Sequence, residues 1–155
     1  MRASTNRSTA RKIAVQKGKA PLGLPFSPGV RYGDLLFVSG QGATDKKGKV
    51  TGDDIKTQTR LTLQNFRRIV EEAGSDMTKV LQTTVYLKDL ADFAGMNEVY
   101  CNFFKEPRPA RATVQVANLL HGMRVEIQGI AHLPRRRPTP VARSLPASSQ
   151  PSQKR

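Results

Sequence analysis

The sequence predicts an α+β fold, in which a single mixed β-sheet carries two amphipathic helices packed on one face. Two observations predict it. The first is a pair of segments whose apolar residues repeat with the 3.6-residue period of a helix. The second is that segments with the composition of β-strands lie before, between and after these two. Strands dispersed around helices in this way favour one sheet with both helices on the same side.

The distribution of charge divides the 155 residues into a central domain and two basic ends. Residues 1–20 hold six of the 26 Lys and Arg residues, residues 134–155 hold another six, and neither end contains Asp or Glu. Residues 21–133 therefore carry 14 basic and 12 acidic residues, a net charge of +2 against +14 for the chain. We expect a basic flexible arm over 1–20, a folded domain over 21–133, and a disordered tail rich in Pro and Ser over 134–155.

Composition excludes several classes of protein and site. No stretch approaches the roughly 18 consecutive apolar residues of a membrane-spanning helix, so we expect no membrane contact. Cys101 is the single cysteine, which excludes an internal disulfide, and with only His121 and His132 beside it an ordinary zinc site is not expected. The cysteine content fits a cytoplasmic protein. If residues 1–20 act as a presequence, the compartment is instead mitochondrial or another organelle.

The first predicted strands form a hairpin. Val30–Tyr32 and Leu35–Ser39 flank Gly33 and Asp34, a two-residue loop suited to a tight turn. A second turn is predicted at residues 45–48, where an Asp and a Gly enclose two lysines.

The first helix is predicted to begin after Asp53 or Asp54, since either carboxylate can cap the free backbone N–H groups of a first turn. Gly74 is well placed to end it. The apolar positions that follow the helical period are Ile55, Leu63, Phe66, Ile69, Val70 and Ala73.

The second half of the domain repeats the alternation of strand and helix. Val80–Leu87 is rich in residues that favour strands, and Asp89 is expected to cap a second helix that Pro107 helps to end. The apolar side of this helix is predicted to comprise Leu90, Phe93, Tyr100 and Phe104. Residues 112–117 and 125–131 predict two further strands.

Arg111 is the candidate binding residue that the local pattern supplies. Pro107 and Pro109 stiffen the chain just before it, and the arginine stands at the start of a predicted strand. A guanidinium is a planar fork that can hold a carboxylate through two hydrogen bonds. Most arginines lie at the surface or in ion pairs, so the residue pattern by itself leaves both interpretations open.

A series of short motifs extends from residue 24 to residue 132. The main ones are Pro25–Pro28, Leu36–Gln41, Gln58–Arg60, Glu72–Gly74, Thr83–Leu87, Asn97–Tyr100, Pro109–Val114 and Val125–Ala131. In their order and spacing, the chain resembles the RidA/YjgF family of reactive-intermediate deaminases, which act on enamines and imines. The two basic ends have no counterpart in that family.

The resemblance implies a fold, an assembly and a reaction. The fold is the YjgF-like, chorismate-mutase-like α+β subunit, and three subunits form a homotrimer with ligand sites at the subunit interfaces. The reaction is the hydrolysis of enamine or imine intermediates, such as 2-aminoacrylate, to 2-oxo acids and ammonia, without a cofactor. The family's arginine for the substrate carboxylate falls on Arg111.

The resemblance also implies the remaining site residues. We expect Arg111 and Gln128 to be catalytic, with Gln128 at the position of an acidic residue that positions the attacking water. An amide can orient water, whereas it cannot take a proton as a carboxylate does. Phe26 replaces a tyrosine and Thr113 a cysteine found in some members, and both are expected to contact substrate together with Ser39 and Arg111.

Two other functions stay open at this level. Some members of the family are described as translation inhibitors or endoribonucleases, and the basic ends could bind RNA non-specifically through their charge. Against this, the nearly neutral central domain shows no basic stripe. The other alternative is a catalytically weak trimer that binds a small ligand, which Gln128 and Phe26 favour.

Overall fold

The computed structural model describes residues 11–15 and 23–134. Most of the predicted arm, and the predicted tail apart from Pro134, lie outside these ranges. The described strands are β1 (Ile13–Val15), β2 (Gly29–Tyr32), β3 (Leu35–Gly42), β4 (Val80–Leu87), β5 (Ala110–Gln115) and β6 (Val125–His132), and the helices are α1 (Ile55–Glu72) and α2 (Phe93–Phe103).

The six strands form one mixed sheet in the order β1-β2-β3-β6-β4-β5. β4 and β5 run parallel, and every other neighbouring pair is antiparallel. The last strand in the sequence, β6, therefore lies in the middle of the sheet, between β3 and β4. The hairpin predicted around Gly33 and Asp34 is confirmed as the β2–β3 connection, and the α+β fold with a single mixed sheet is confirmed as a whole.

Strand β1 corrects the prediction made for the N-terminal arm. Ile13–Val15 pairs antiparallel with β2, with Val15 opposite Gly29, and only 8% of Val15 is exposed. The expectation of a flexible arm over residues 1–20 is therefore wrong for these three residues. Their short Ile-Ala-Val run has strand propensity and satisfies the free edge of β2, although basic and small residues surround it in the sequence.

Helix α1 has the capping and the buried face that its sequence predicts. Asp54, rather than Asp53, is the N-cap, and its side chain accepts a hydrogen bond from the backbone N–H of Thr57 at 2.9 Å. Gly74 follows the helix with φ of +88°, a conformation that glycine adopts without strain. The large apolar side chains of α1 that are buried in the core are Leu63, Phe66, Ile69 and Val70.

Helix α2 begins later than predicted. Asp89 caps a short 3₁₀ turn over Leu90–Asp92 by accepting the N–H of Ala91 at 2.8 Å, and the α-helix starts at Phe93. Its predicted apolar side is divided between two environments. Tyr100 and Phe104 are each 2% exposed, whereas Leu90 and Phe93 are 50% and 39% exposed.

Both helices pack on the same face of the sheet, as predicted. Alternate residues of the central strands, such as Leu36, Val85 and Ile127, join the helix side chains in one core. The intervening residues form the helix-free face, where Phe37 and Leu81 are 43% and 50% exposed. Within the described residues, no helix is long and apolar enough to cross a membrane.

Gly129 allows the closest approach between α1 and the sheet. It lies on β6, opposite Val38 of β3 and Thr83 of β4, with its Cα facing the helices. A Cβ atom at this position would lie 3.0 Å from Cζ of Phe66 and would overlap the backbone carbonyl oxygen of Gln82. The Phe66 ring could shift to relieve its contact, but the Gln82 carbonyl is held in place by the sheet.

We expect Gly129→Ala to lower the free energy of unfolding by about 1–3 kcal/mol, the usual cost of overpacking a core. Chemical denaturation of the two proteins measures this difference. The double variant Gly129→Ala with Phe66→Leu is the control for the ring contact, and it should recover little, because the clash with the Gln82 carbonyl persists. Unchanged stability in Gly129→Ala would contradict the close packing described here.

Candidate functional site

A cavity of about 430 Å³ opens between the bulged part of β3, the second half of α1 and the start of β6. The lining residues that bear on its chemistry are Phe26, Ser39, Asn65, Arg68 and Glu126. Two of the predicted site residues, Phe26 and Ser39, are therefore in the same cavity.

The wall that carries Phe26 is fastened to β3 by Ser39. Its hydroxyl donates a hydrogen bond to the carbonyl of Ser27 at 2.7 Å, and its backbone N–H donates to the carbonyl of Pro28 at 3.0 Å. The pairing of β3 with β6 shifts register between Val38 and Gln41, which places an irregularity at Ser39 and Gly40. These contacts hold Phe26, 49% exposed, at the mouth of the cavity.

Asn65 joins the helix to the other end of β3. Its amide nitrogen donates hydrogen bonds to the carbonyl oxygens of Gly42 and Thr44, each at 2.9 Å. The side chain therefore closes the loop that follows β3 against α1, and it fixes the shape of the cavity.

Glu126 supplies the cavity with a carboxylate that was not among the predicted site residues. Its side chain lies over Gly40, where a Cβ would collide with it. Burial raises the pKa of Glu126 above that of an ordinary glutamate. Among the described residues, nothing donates a hydrogen bond or forms an ion pair with this carboxylate. It can therefore take up or release a proton toward a ligand.

Gln128 lies two residues further along β6 and points to the helix-free face. Its amide nitrogen donates a hydrogen bond to the hydroxyl of Tyr86 at 2.8 Å. It lines a separate hollow of about 290 Å³, which it shares with Ser39 and Thr84 but not with Phe26. The strand alternation could have identified Glu126 from the sequence, since residues 126 and 128 share one side of β6 while apolar residues occupy the other.

Arg111 occupies the edge strand β5, on the side of the sheet that faces α2. It lies in register with Thr83, and its guanidinium carbon is 4.6 Å from the ring centroid of Tyr100 and 5.7 Å from that of Phe93. Such contacts orient a cation without neutralising it. Within the described part of the chain, the guanidinium has no ion pair and no hydrogen bond. Its donors are therefore free for a ligand.

The Tyr100 ring that supports Arg111 is itself fixed. Its hydroxyl shares a buried hydrogen bond of 2.7 Å with the hydroxyl of Thr83. Burial raises the pKa of Tyr100, and the hydrogen bond with Thr83 and the charge of Arg111 offset only part of this effect. The phenol is therefore neutral at physiological pH.

Thr113 lies two residues beyond Arg111, on the same side of β5. Its hydroxyl is buried and has no hydrogen-bond partner in the described ranges. A buried hydroxyl without a partner is unfavourable. The same ranges contain no group of three or more His, Cys, Asp or Glu side chains that could hold a metal ion.

One chain therefore carries two separate groups of candidate residues. Phe26, Ser39 and Glu126 lie around the junction of β3 and β6, whereas Arg111 and Thr113 lie on β5, beyond β4. The sheet itself stands between Glu126 and Arg111, because their side chains project from opposite faces. The structure thus brings together the predicted residues within each group, and it does not bring the two groups together inside one chain.

Among its described residues, this small α+β domain thus offers an unpaired carboxylate in a cavity and an unpaired arginine on an edge strand. The chain belongs to the family described as Endoribonuclease L-PSP, whose model matches residues 18–133. This confirms the resemblance found in the sequence.

Relatives of the chain include proteins named as deaminases. It is 42% identical over 121 residues to a RutC family protein of Pyrococcus abyssi, covering 77% of this chain and 94% of the relative. It is 38% identical over 125 residues to the 2-iminobutanoate/2-iminopropanoate deaminase of Salmonella typhimurium, covering 79% and 97%. The crystal structure of RidA from an Antarctic Psychrobacter is similar, with a TM-score of 0.72 and 36% identity over 78% of this chain and 99% of that one.

The elevated pKa of Glu126 predicts a specific dependence of stability on pH. A raised pKa in the folded state means that folding is opposed as the carboxyl ionises, so stability falls as pH rises from the unfolded-state pKa through the folded-state pKa. Glu126→Gln should therefore be more stable than the parent at neutral pH, and the difference should vanish below about pH 4, where glutamate is protonated in both states. Denaturation midpoints measured from pH 3 to 8 test this.

Asp45→Asn is the matched control, because its sign is opposite. The backbone N–H groups of Lys49 and Lys47 donate to the Asp45 carboxylate and lower its pKa. That variant should be less stable than the parent at neutral pH and should approach it in acid. Parallel pH profiles for the two variants would contradict the assigned environment of Glu126.

Proposed function

We propose that the protein is an enamine/imine deaminase that hydrolyses reactive intermediates, such as 2-aminoacrylate, to 2-oxo acids and ammonia. The main observation behind this proposal is that two charged groups, the Arg111 guanidinium on β5 and the Glu126 carboxylate on β6, have no ion-pair or hydrogen-bond partner among the described residues. The name of the Salmonella protein, a 2-iminobutanoate/2-iminopropanoate deaminase, supports the same reaction class.

The two groups of residues are proposed to meet between subunits of a homotrimer. In a single chain, apolar side chains on the helix-free face are exposed to solvent, among them Phe37 and Leu81. Cyclic assembly would bury them. In the same assembly, Arg111 and Thr113 of one subunit would face Phe26, Ser39 and Glu126 of the next, giving three equivalent sites.

In the proposed reaction, Arg111 binds the substrate carboxylate through its planar fork and so fixes the adjacent C=N carbon. Glu126 takes a proton from water as the water oxygen adds to that carbon. Glu126 then gives this proton to the nitrogen, which completes the carbinolamine. The hydroxyl proton of the carbinolamine passes to the nitrogen by way of Glu126 as the C=O bond forms, the C–N bond breaks and ammonia leaves. An enamine such as 2-aminoacrylate first tautomerises to the imine. Imines hydrolyse readily in water, so positioning and one proton-transfer group are sufficient.

This proposal moves the water-positioning role expected for Gln128 to Glu126. The Gln128 amide donates a hydrogen bond to the Tyr86 hydroxyl, whereas the Glu126 carboxylate has no partner among the described residues, and burial raises its pKa in the single chain. A raised pKa favours proton transfer near neutral pH. Phe26 would form an apolar wall of the site, and the Thr113 hydroxyl would complete the binding of the substrate.

Arg111→Ala is expected to abolish imine hydrolysis while leaving a folded oligomer, because an exposed arginine on an edge strand contributes little to the core. Arg111→Lys should also be poor, since a single ammonium cannot form the two parallel hydrogen bonds of a guanidinium. The assay generates 2-aminoacrylate enzymatically and follows its loss by trapping with semicarbazide. An Arg111→Ala variant with most of its activity would overturn the role in carboxylate binding.

Subunit mixing tests whether the site is shared. Arg111→Ala and Glu126→Gln should each be inactive alone, but a mixed trimer has interfaces where an intact Arg111 meets an intact Glu126. Equal, random mixing should restore about a quarter of the parental activity, as expected for a cyclic oligomer with heterologous interfaces. Mixing without any recovery, in trimers shown to exchange subunits, would exclude a shared site.

A further inference from the structure

The cavity that contains Glu126 is larger than a three-carbon substrate requires. Its volume of about 430 Å³ lies in the range of pockets that enclose whole small-molecule ligands. An imino acid held at its carboxylate by Arg111 would therefore leave space for a longer side chain.

Arg68 of α1 adds a second, unused cation to this space. It lies one helical turn beyond Asn65 and next to Ile69, so that three residues of one helix face line the cavity. Asn65 is occupied by the carbonyls of Gly42 and Thr44. Within residues 11–15 and 23–134, the Arg68 guanidinium has no ion pair, hydrogen bond or aromatic contact.

The other charged groups of the cavity leave Arg68 available. Lys46 adds a further positive charge. The carboxylate of Asp45 accepts the backbone N–H groups of Lys47 and Lys49 at 2.8 and 2.9 Å, so the turn itself satisfies it. Glu126 comes from the sheet, whereas Arg68 comes from the helix layer, and the two form no ion pair.

The adjacent residue, Arg67, shows what a purely structural arginine looks like on this helix. Its guanidinium nitrogen lies 3.8 Å from the carboxylate of Glu71, and its guanidinium carbon lies 5.6 Å from the ring centroid of Phe103. Arg67 does not line the cavity. Its partners lie on α1 and α2, whereas Arg68 is exposed and lines the cavity.

We propose that the site accepts imino acids whose side chain carries a second anionic group, and that Arg68 binds that group. This inference rests on the proposed function, because it takes Arg111 of the neighbouring subunit as the partner of the first carboxylate. The chemical class is the imine of an acidic amino acid, which must be supplied by an enzyme that oxidises the α-amino group of such an amino acid to the imine. Arg68 is then the residue that sets specificity by side-chain charge.

The test compares two imines generated in situ by flavin-dependent amino-acid oxidation, one from glutamate and one from methionine, with 2-aminoacrylate as the short substrate. The full-length chain should hydrolyse the glutamate imine with a higher kcat/KM than the methionine imine. Arg68→Ala should lower kcat/KM for the glutamate imine about tenfold or more, mainly through KM, and change the other two substrates by less than about threefold. Arg67→Ala is the control and should leave the ratio of kcat/KM for the glutamate imine to kcat/KM for the methionine imine unchanged.

A binding measurement separates failure of this inference from failure of the proposed function. Calorimetric titration of 2-oxoglutarate into the parent should show binding that Arg68→Ala weakens and that salt weakens as well. Arg68-dependent binding without hydrolysis of any imine would remove the proposed function and leave the anion site standing. Hydrolysis of both imines with no selective effect of Arg68→Ala would overturn the inference and leave the deaminase function standing. If neither imine hydrolysis nor Arg68-dependent binding of 2-oxoglutarate were observed, the inference and the proposed function would both be wrong.

Discussion

The position of β6 between β3 and β4 is the constraint on which the rest of the structure depends. A strand buried between two neighbours must present one row of side chains to the helices and the other to the opposite face. On β6 the helix side carries Val125, Ile127 and Gly129, and Gly129 lets Phe66 of α1 approach the backbone. The same alternation sends Glu126 and Gln128 to the other side. Packing of the core and placement of the carboxylate therefore follow from one register.

The sheet order then explains why one chain presents two incomplete halves of a site. β5 joins the sheet only through β4, so Arg111 lies at the edge, two strands away from Glu126 and on the other face. Within the described residues, neither the Arg111 guanidinium nor the Glu126 carboxylate has an ion-pair partner. An unpaired charge destabilises an isolated subunit only where the charged group is buried. Arg111 is exposed and Glu126 is half-buried with a raised pKa, so both costs are modest. A fold can keep such groups unpaired at low cost until a second subunit or a ligand supplies the partner.

The sequence predicted most of the fold because the local signals are strong and agree with one another. Asp54, Gly74 and the apolar period of α1 each indicate the same helix, and Gly33 and Asp34 indicate the same hairpin. The short strand Ile13–Val15 was missed, since three residues give too little periodicity to stand out beside basic neighbours. The start of α2 was misplaced by a few residues, because Asp89 caps a 3₁₀ turn with the same chemistry that caps an α-helix.

The site was harder to predict than the fold, for a physical reason. Arg111 is recognisable from its motif, but the value of a carboxylate depends on burial and on partners that only three dimensions reveal. Glu126 and Gln128 are equivalent in the strand pattern, and their surroundings distinguish them. The Gln128 amide donates a hydrogen bond to the Tyr86 hydroxyl, whereas burial raises the pKa of Glu126. The same reasoning separates Arg68 from Arg67, which are neighbours in sequence, because among the described residues Arg67 has an ion pair and an aromatic contact and Arg68 has neither. In this fold, unpaired charge at a cavity distinguishes a residue available to a ligand from one that stabilises the protein.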